Sequence, residues 1–196
     1  MAHELFVLTG GPCTGKTTLG RELTKLGYDV LPEAARAVIQ DEEGKERPIL
    51  PWTDLSGFQK LVLERQLGFE ARANGRPTFL DRSIIDNLAY CRVGSIAAPQ
   101  EITNAVQEHV RSNAYKAIFL LDPVPYKQDC ERREDPVFAL RIHEAIGRVY
   151  SELGYDVTLV PVLETPAARA RFVVSTLEAM AKARSSSASI EEVIAA

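Results

Sequence analysis

The octapeptide Gly10-Gly11-Pro12-Cys13-Thr14-Gly15-Lys16-Thr17 satisfies the pattern G-x-x-x-x-G-K-[ST]. It follows the apolar run 5–8 and precedes a helical pattern over about 16–26, so it lies between a strand and a helix. Glycine allows the backbone to curl closely around phosphate oxygens, and the start of the helix adds its positive end. The sequence therefore predicts a phosphate-binding loop, which we call the P-loop.

The chemistry of the P-loop side chains indicates a magnesium–nucleotide ligand. Lys16 carries the positive charge that neutralises the β- and γ-phosphates, and the hydroxyl of Thr17 suits Mg²⁺. We therefore expect ATP, or a related nucleoside triphosphate, and Mg²⁺ as cofactors. The expected nucleotide-binding residues are Gly10, Gly11, Pro12, Cys13, Thr14, Gly15, Lys16, Thr17 and Thr18.

Short apolar runs recur along the chain and alternate with helical patterns. Such runs are typical of the interior strands of a parallel sheet, and the alternation indicates right-handed βαβ units. The sequence thus predicts an α/β fold with a parallel sheet between helices. The expected strands are 5–8, 28–31, 78–81, 117–121 and 157–162, and the expected helices are 16–26, 33–41, 55–69, 137–153 and one that Thr165 caps.

Composition limits the class of protein. The chain has 196 residues, of which 45% are hydrophobic and 26% charged, which suits one domain over 1–180 followed by an Ala/Ser-rich tail over 181–196. The net charge of −4 comes with no basic block, so no nucleic-acid partner is expected. Three distant cysteines, strand-sized apolar runs and no leader pattern favour a reduced, cytoplasmic setting without a membrane. The oligomeric state stays open.

Two acidic residues follow predicted strands, where the ligand crevice of such a sheet lies. Asp81 is expected to hold the metal, or to cap the following helix, or both. Glu33 is expected to accept a proton from a substrate hydroxyl or to complete the Mg²⁺ shell, unless it is a plain acid of the first helical turn. Arg36, one turn further on, either binds an anionic substrate group or forms an ordinary pair with Glu33.

Two further features carry weaker signals. Trp52 either stacks on a substrate ring or anchors its loop by hydrophobic contact. The charged segment 126–135 follows the fourth predicted strand, and Lys127, Arg132 and Arg133 in it are expected to form a basic lid over the transferred phosphate. The alternative for this segment is a solvated loop. The scattered histidines are assigned no chemistry.

Four segments together resemble a known family: Leu8 to Thr17, Pro32-Glu33-Ala34-Ala35-Arg36, Phe79-Leu80-Asp81-Arg82, and Tyr126 to Arg133. Over about 6–177, the chain resembles the NadR/TTD14-like P-loop NTPases, which are often described as AAA-family ATPases and are related to ribosylnicotinamide and nucleoside kinases. The resemblance implies strand order 2-3-1-4-5 and a lid. It also implies that Glu33 acts as base, that Asp81 associates with metal and that Arg82 binds substrate phosphate. Ala34 and Ala35 depart from the aromatic-rich pattern of NadR-like kinases at this point.

The preferred functional hypothesis is a P-loop phosphotransferase that passes the ATP γ-phosphate to a hydroxyl of a nucleoside-like or other metabolite. The expected partners are thus a nucleoside triphosphate and an unidentified small-molecule acceptor. Two alternatives remain: a nucleotide-dependent switch or binding module, and a partner-coupled ATPase. A standard GTPase is disfavoured because the sequence has no Asn-Lys-x-Asp or Thr-Lys-x-Asp motif.

Overall fold

A computed structural model describes residues 4–124 and 135–194, with side chains described through residue 183. These residues form a parallel five-stranded sheet in the order β2-β3-β1-β4-β5, with helices on both faces. The expected α/β class and strand order are confirmed. The elements in chain order are β1 (Leu5–Thr9), α1 (Lys16–Lys25), β2 (Asp29–Leu31), α2 (Ala34–Glu42), α3 (Leu55–Glu70), β3 (Thr78–Asp81), α4 (Asp86–Val93), α5 (Gln100–Arg111), β4 (Tyr115–Leu121), α6 (Pro136–Glu152), β5 (Val157–Val160) and α7 (Pro166–Ile194).

The central strands are buried on both faces, as their continuous apolar runs predict. Every residue of β1 and β3 is buried. Leu8 of β1 is paired in register with Asp81 of β3. The P-loop, which follows β1, and the Asp81–Arg82 pair at the end of β3 therefore lie side by side at the carboxyl edge of the sheet.

Hydrophobic cores cover the two faces of the sheet. On one face, α1 and α7 contribute Leu19, Leu23 and Val173 to a cluster that includes strand residues. On the other, α4, α5 and α6 pack against the sheet, with Ile142 and Ile146 fully buried. A smaller cluster joins α2 to α3. These contacts fix α1, α2 and α6 around the carboxyl edge of the sheet.

Several boundaries differ from the sequence-based prediction. The helices α4 and α5 between β3 and β4 were not expected. The apolar residues Ile102, Val106 and Val110 of α5 recur at helical spacing and pack against the sheet, so the sequence carried a periodic signal for this helix that was overlooked. The strand β5 ends at Val160 rather than at 162.

The last helix begins as expected and extends further than expected. Thr165 Oγ1 accepts the Ala168 N–H at 3.1 Å, as an N-cap does. The helix then continues without a break from the predicted domain into the predicted tail, ending at Ile194. Across the described part of the chain, none of the helices combines the length and the apolar character that crossing a membrane requires.

Candidate functional site

The P-loop backbone curls as its glycines predict. Gly10 has φ 136° and Gly15 has φ 82°, and Cys13 has φ 61°, a left-handed conformation that costs a non-glycine residue energy. Gly15 is also the N-cap of α1 and contributes no side chain to cap it. The first amides of α1 therefore have no capping partner of their own and form an anion-binding end. Thr18, in the first turn of α1, is exposed, and Pro12 is half-buried.

Lys16 is buried among neutral oxygens of its own loop. Its Nζ donates to the carbonyls of Gly10 at 3.0 Å and Gly11 at 2.8 Å and lies 3.3 Å from Thr14 Oγ1. Burial, reinforced by the charge of Arg82 and partly offset by acidic neighbours, lowers the pKa of Lys16 to about 8. A buried ammonium whose hydrogen-bond partners are all neutral would be stabilised by the negative charge of a nearby phosphate.

Thr17 and Asp81 form a hydrogen-bonded pair at the start of α1, beside the P-loop. Thr17 Oγ1 donates to Asp81 Oδ2 at 3.0 Å, and Asp81 Oδ1 is buried without a hydrogen-bond partner. Burial, with the charge of Glu33, raises the pKa of Asp81. The alternative that Asp81 caps the next helix is wrong, because the N-cap of α4 is Ile85.

This pair of oxygen ligands fits Mg²⁺. The unpaired carboxylate oxygen of Asp81 and the hydroxyl of Thr17 are hard ligands, which magnesium prefers. Among the described residues, no three His, Cys, Asp or Glu side chains converge as a complete cation cage. Mg²⁺ bound with a nucleotide takes few protein ligands and completes its shell with water and phosphate oxygens, so two protein ligands suffice.

Arg82 connects the acid after β2 to the P-loop. Its Nε donates to Glu33 Oε1 at 2.9 Å, and its Nη1 donates to the Gly10 carbonyl at 3.0 Å and to Asp86 Oδ2 at 3.2 Å. The residue has φ 76° and its guanidinium lies 5.3 Å from the centre of the Tyr90 ring. One buried guanidinium thus sets the position of Glu33 relative to the phosphate loop. In this arrangement the Arg82 guanidinium donates hydrogen bonds to acceptors of the protein. Its expected contact with substrate phosphate stays a prediction.

Glu33 is ionised and directed into the site. Burial alone would raise its pKa, but the charges of Arg82 and Lys16 outweigh burial and lower it. Although Glu33 occupies the N-cap position of α2, it makes no capping hydrogen bond, so its carboxylate is not used to stabilise the helix start. Arg36 is two-thirds exposed and lies 3.8 Å from Glu33 Oε2, which is the ordinary i,i+3 pair that the sequence left as one alternative.

A second layer supports Arg82, and sequence analysis missed it. Asp86 Oδ2 accepts Thr9 Oγ1–H at 2.8 Å as well as Arg82, while its Oδ1 accepts Tyr150 O–H at 2.8 Å. Tyr150 also lies 2.6 Å from Ser83 Oγ. Burial raises the pKa of Asp86, an effect that Arg82 partly offsets. The helical i,i+4 rule does not identify this pair in the sequence, because Arg82 precedes α4 and has φ 76°.

Two basic residues behind the P-loop were also missed. His143 of α6 accepts the Gly11 N–H on Nδ1 at 3.3 Å, and burial lowers its pKa, which favours the neutral ring that this bond requires. Arg169 of α7 donates to the Thr14 carbonyl at 2.8 Å. Both residues reach the loop from distant parts of the chain, and no local sequence pattern marks either of them.

Some expected site residues are not brought to this cluster. Trp52 is 67% exposed, so the interpretation as a hydrophobic anchor is wrong, while stacking on a substrate ring stays a prediction. The expected lid residues Lys127, Arg132 and Arg133 lie outside the described residues. The described site therefore consists of the P-loop, the Thr17–Asp81 pair and the Glu33–Arg82–Asp86 network.

Comparison with known proteins places this geometry in context. The sequence profile of a family described as "AAA domain" matches residues 5–169. A NadR protein solved with NAD and AMP-PNP superimposes with a TM-score of 0.61 at 18% identity, covering 89% of this chain and 48% of that one. This chain thus spans about half the length of NadR. A search of curated proteins gave no match.

Two smaller proteins share the fold over nearly their whole length. Deoxyadenosine kinase from M. mycoides superimposes with a TM-score of 0.60 at 14% identity, covering 90% of this chain and 99% of that one. Shikimate kinase from Aquifex aeolicus does so with a TM-score of 0.57 at 19% identity, covering 90% and 98%. At these identities the likeness concerns the fold.

Proposed function

This chain belongs to the AAA domain family, and from that premise we propose that it is a phosphotransferase that moves the γ-phosphate of Mg-ATP to a hydroxyl of a nucleoside-like or other small metabolite. The observation that carries the proposal is the bridge formed by Arg82, whose guanidinium contacts both the Glu33 carboxylate and the Gly10 carbonyl. An ionised acid is thereby held beside the phosphate loop, which is where an acceptor hydroxyl must lie.

The P-loop residues bind and neutralise the triphosphate. Backbone amides at the start of α1 contact phosphate oxygens, and Lys16 exchanges its carbonyl partners for the β- and γ-phosphates. Thr17 and Asp81 would hold Mg²⁺. When bound, the ion would supply positive charge to the phosphates as negative charge develops on the leaving oxygen.

Glu33 binds and orients the acceptor. Its lowered pKa makes it a weak base, but a carboxylate is a strong hydrogen-bond acceptor, and phosphoryl transfer through a loose transition state requires little early proton removal. Arg82 keeps this carboxylate in position and Asp86 keeps Arg82 in position. The rate would come mainly from placing hydroxyl and phosphate together.

The structural neighbours support a small-molecule acceptor. Two of them are kinases of a deoxynucleoside and of shikimate, and both match this chain over almost their full length. Shikimate is no nucleoside, so the fold itself does not select the acceptor. We propose a cytoplasmic setting, because ATP and metabolites are available there.

The proposal is tested by Mg-ATP turnover with purified protein, with and without pools of nucleosides and other hydroxylated metabolites, reading ADP and phosphorylated product together. We expect ADP release to rise with one acceptor and to match its phosphorylated product. Glu33→Gln, which keeps the shape of the side chain, should lose the acceptor-dependent rate and keep nucleotide binding.

The alternative functions give a different result in the same assay. Tight nucleotide binding with little turnover, and no effect of any acceptor, would indicate a switch or binding module. Steady ATP hydrolysis without phosphorylated product would indicate a partner-coupled ATPase.

A further inference from the structure

Arg169 joins three parts of the fold behind the P-loop. The residue is 4% exposed and lies in the first turn of α7. Its Nη1 donates to the Thr14 carbonyl at 2.8 Å, and its Nη2 donates to the carbonyls of Val160 at 2.9 Å and Asp122 at 3.2 Å. Val160 ends β5 and Asp122 directly follows β4. A single guanidinium therefore ties the P-loop to the ends of two strands.

The bond to Thr14 sets the direction of the next amide. In a planar trans peptide the C=O and the N–H point in opposite directions. Because the Thr14 carbonyl points at Arg169, the Gly15 N–H points away from α7. Gly15 has φ 82°, and a glycine there is free to rotate this peptide unless something holds it. Arg169 is the group that holds it.

The guanidinium also packs directly against the loop. A Cβ added to Gly15 would lie 3.4 Å from Arg169 Nη1. The positive φ of 82° favours glycine at position 15, and this ordinary packing distance places the positive charge next to the Thr14–Gly15 peptide.

The guanidinium of Arg169 hydrogen-bonds only to neutral groups, although the charge of Asp122 acts on it from a longer distance. All three of its acceptors are neutral carbonyls, and its Nε is buried without a hydrogen-bond partner. Within residues 4–124 and 135–183, every hydrogen bond of Arg169 goes to a backbone carbonyl and none to a carboxylate. A buried cation whose hydrogen-bond acceptors are all neutral favours binding of an anion close by.

We propose that Arg169 is a positioning residue for phosphate binding: it fixes the Thr14–Gly15 peptide and supplies positive charge behind the P-loop, so that the loop binds the polyphosphate chain of a nucleotide. This inference rests on the nucleotide binding in the proposed function and adds a residue to it. It does not depend on the identity of the acceptor.

The test is calorimetric titration of the full chain with magnesium tripolyphosphate and with Mg-ATP. The variants are Arg169→Met, Arg169→Gln and Arg169→Lys, and Arg171→Met is the matched control because Arg171 is exposed on the same helix. The folded fraction of each variant is measured by circular dichroism under the same conditions. Arg169→Gln keeps a polar side chain at this buried position, but its amide ends at the depth of Arg169 Nε and does not reach the Thr14 carbonyl, so it serves as the test if Arg169→Met does not fold.

We expect Arg169→Met and Arg169→Gln to weaken tripolyphosphate binding about tenfold or more, which is the scale of one hydrogen bond to a charged group. Arg169→Lys keeps the charge but lacks the planar fork, so it should recover part of this loss. Arg171→Met should bind like the wild type. The loss should exceed any decrease in the folded fraction.

Wild-type affinity in Arg169→Gln would overturn the inference, and so would a loss no larger than the change in folded fraction. Failure of the wild-type chain to bind tripolyphosphate would overturn it as well. Failure of the kinase proposal alone is distinguishable, because it would leave these titrations unchanged and would show as an absence of phosphorylated acceptor.

Discussion

Two buried polar clusters lie next to each other in this molecule, and they differ in how completely their atoms are paired. The first is the site cluster: Lys16, Glu33, Asp81, Arg82 and Asp86. The second, the α3–α5 cluster, consists of Gln66, Glu70, His109 and Tyr115. Glu70 Oε1 accepts from Gln66 Nε2 at 3.0 Å and from Tyr115 O–H at 2.9 Å, and its Oε2 lies 3.0 Å from His109 Nε2. Both oxygens of this buried acid are therefore paired.

The site cluster is incomplete by the same measure. Asp81 Oδ1 has no partner and Lys16 is held by neutral oxygens. Native proteins pair nearly all of their buried polar atoms, and exceptions require an explanation. The difference fits a structural role for the α3–α5 cluster and our proposal that a ligand completes the site cluster. Gln66 connects the two clusters, since its Nε2 also lies 3.3 Å from the Arg82 carbonyl oxygen.

The largest expected effect is that of removing the positive charge of Lys16. Lys16→Met keeps much of the side-chain volume but removes the ammonium, so phosphoryl transfer or hydrolysis should fall by about a thousandfold or more. Thermal unfolding without nucleotide should change little, because burial already disfavours the charged form of Lys16. Lys25→Met, at the exposed end of α1, is the control. Turnover near the wild-type rate in Lys16→Met would remove the basis for a catalytic P-loop.

In the α3–α5 cluster, by contrast, a substitution should lower stability and leave nucleotide binding nearly unchanged. Glu70→Ala leaves Tyr115 and Gln66 without their buried acceptor, so the free energy of unfolding should fall by about 2–4 kcal/mol. Denaturant unfolding measures this loss, with Glu64→Ala on the exposed face of α3 as control. Nucleotide affinity of the folded fraction should stay near that of the wild type. A variant that keeps full stability but loses nucleotide binding would show that this cluster belongs to the site.

A smaller effect is expected at Asp81, where a substitution should increase stability but weaken Mg²⁺-dependent nucleotide binding. Asp81→Asn removes a buried charge whose pKa is raised by burial, so the chain without ligands should gain about 1 kcal/mol of stability. The same change should raise the Mg²⁺ concentration needed for nucleotide binding about tenfold, which a magnesium titration measures. Asp156→Asn, an exposed change of the same kind, should do neither. Loss of stability in Asp81→Asn would mean that the carboxylate supports the fold.

The smallest expected effect is the pH dependence of the α3–α5 cluster. Burial alone would lower the pKa of His109, but the hydrogen bond and charge of Glu70 outweigh burial and raise it. Protonated His109 therefore stabilises the fold fully below its unfolded pKa of about 6.5, and this contribution is lost as the pH rises through the higher folded pKa. The stability difference between wild type and His109→Gln should shrink from pH 6 to pH 9. A difference that is constant across this range would contradict a charged His109.

Local patterns sufficed to predict which residues the fold brings together at the candidate site. The P-loop is one contiguous motif, and Glu33, Asp81 and Arg82 directly follow strands whose apolar runs are easy to recognise. Because the carboxyl ends of parallel strands share one edge, their convergence follows from the strand assignment. The strand order was predicted through the resemblance, which the structure confirms.

The supporting residues could not be predicted in this way. His143 contacts Gly11 across 132 positions of sequence and Arg169 contacts Thr14 across 155. Such contacts depend on how α6 and α7 pack against the rest of the fold, and the spacing of residues in the sequence does not predict helix packing. The helices α4 and α5 were missed for different reasons. The buried residues of α4 include the polar Asp86 and Asn87, so α4 shows no clear apolar stripe, whereas the apolar residues of α5 do recur at helical spacing and were overlooked.

The contact between Gly11 and α6 has a mechanical consequence. A Cβ at Gly11 would lie 2.6 Å from the Ala139 carbonyl oxygen and 3.0 Å from His143 Cβ, so loop and helix touch backbone to backbone, and the Gly11 N–H is bonded to the same helix. No flexible side chain lies between them to absorb a displacement, and packed interiors transmit strain. A shift or tilt of α6 would therefore displace the P-loop together with the helix.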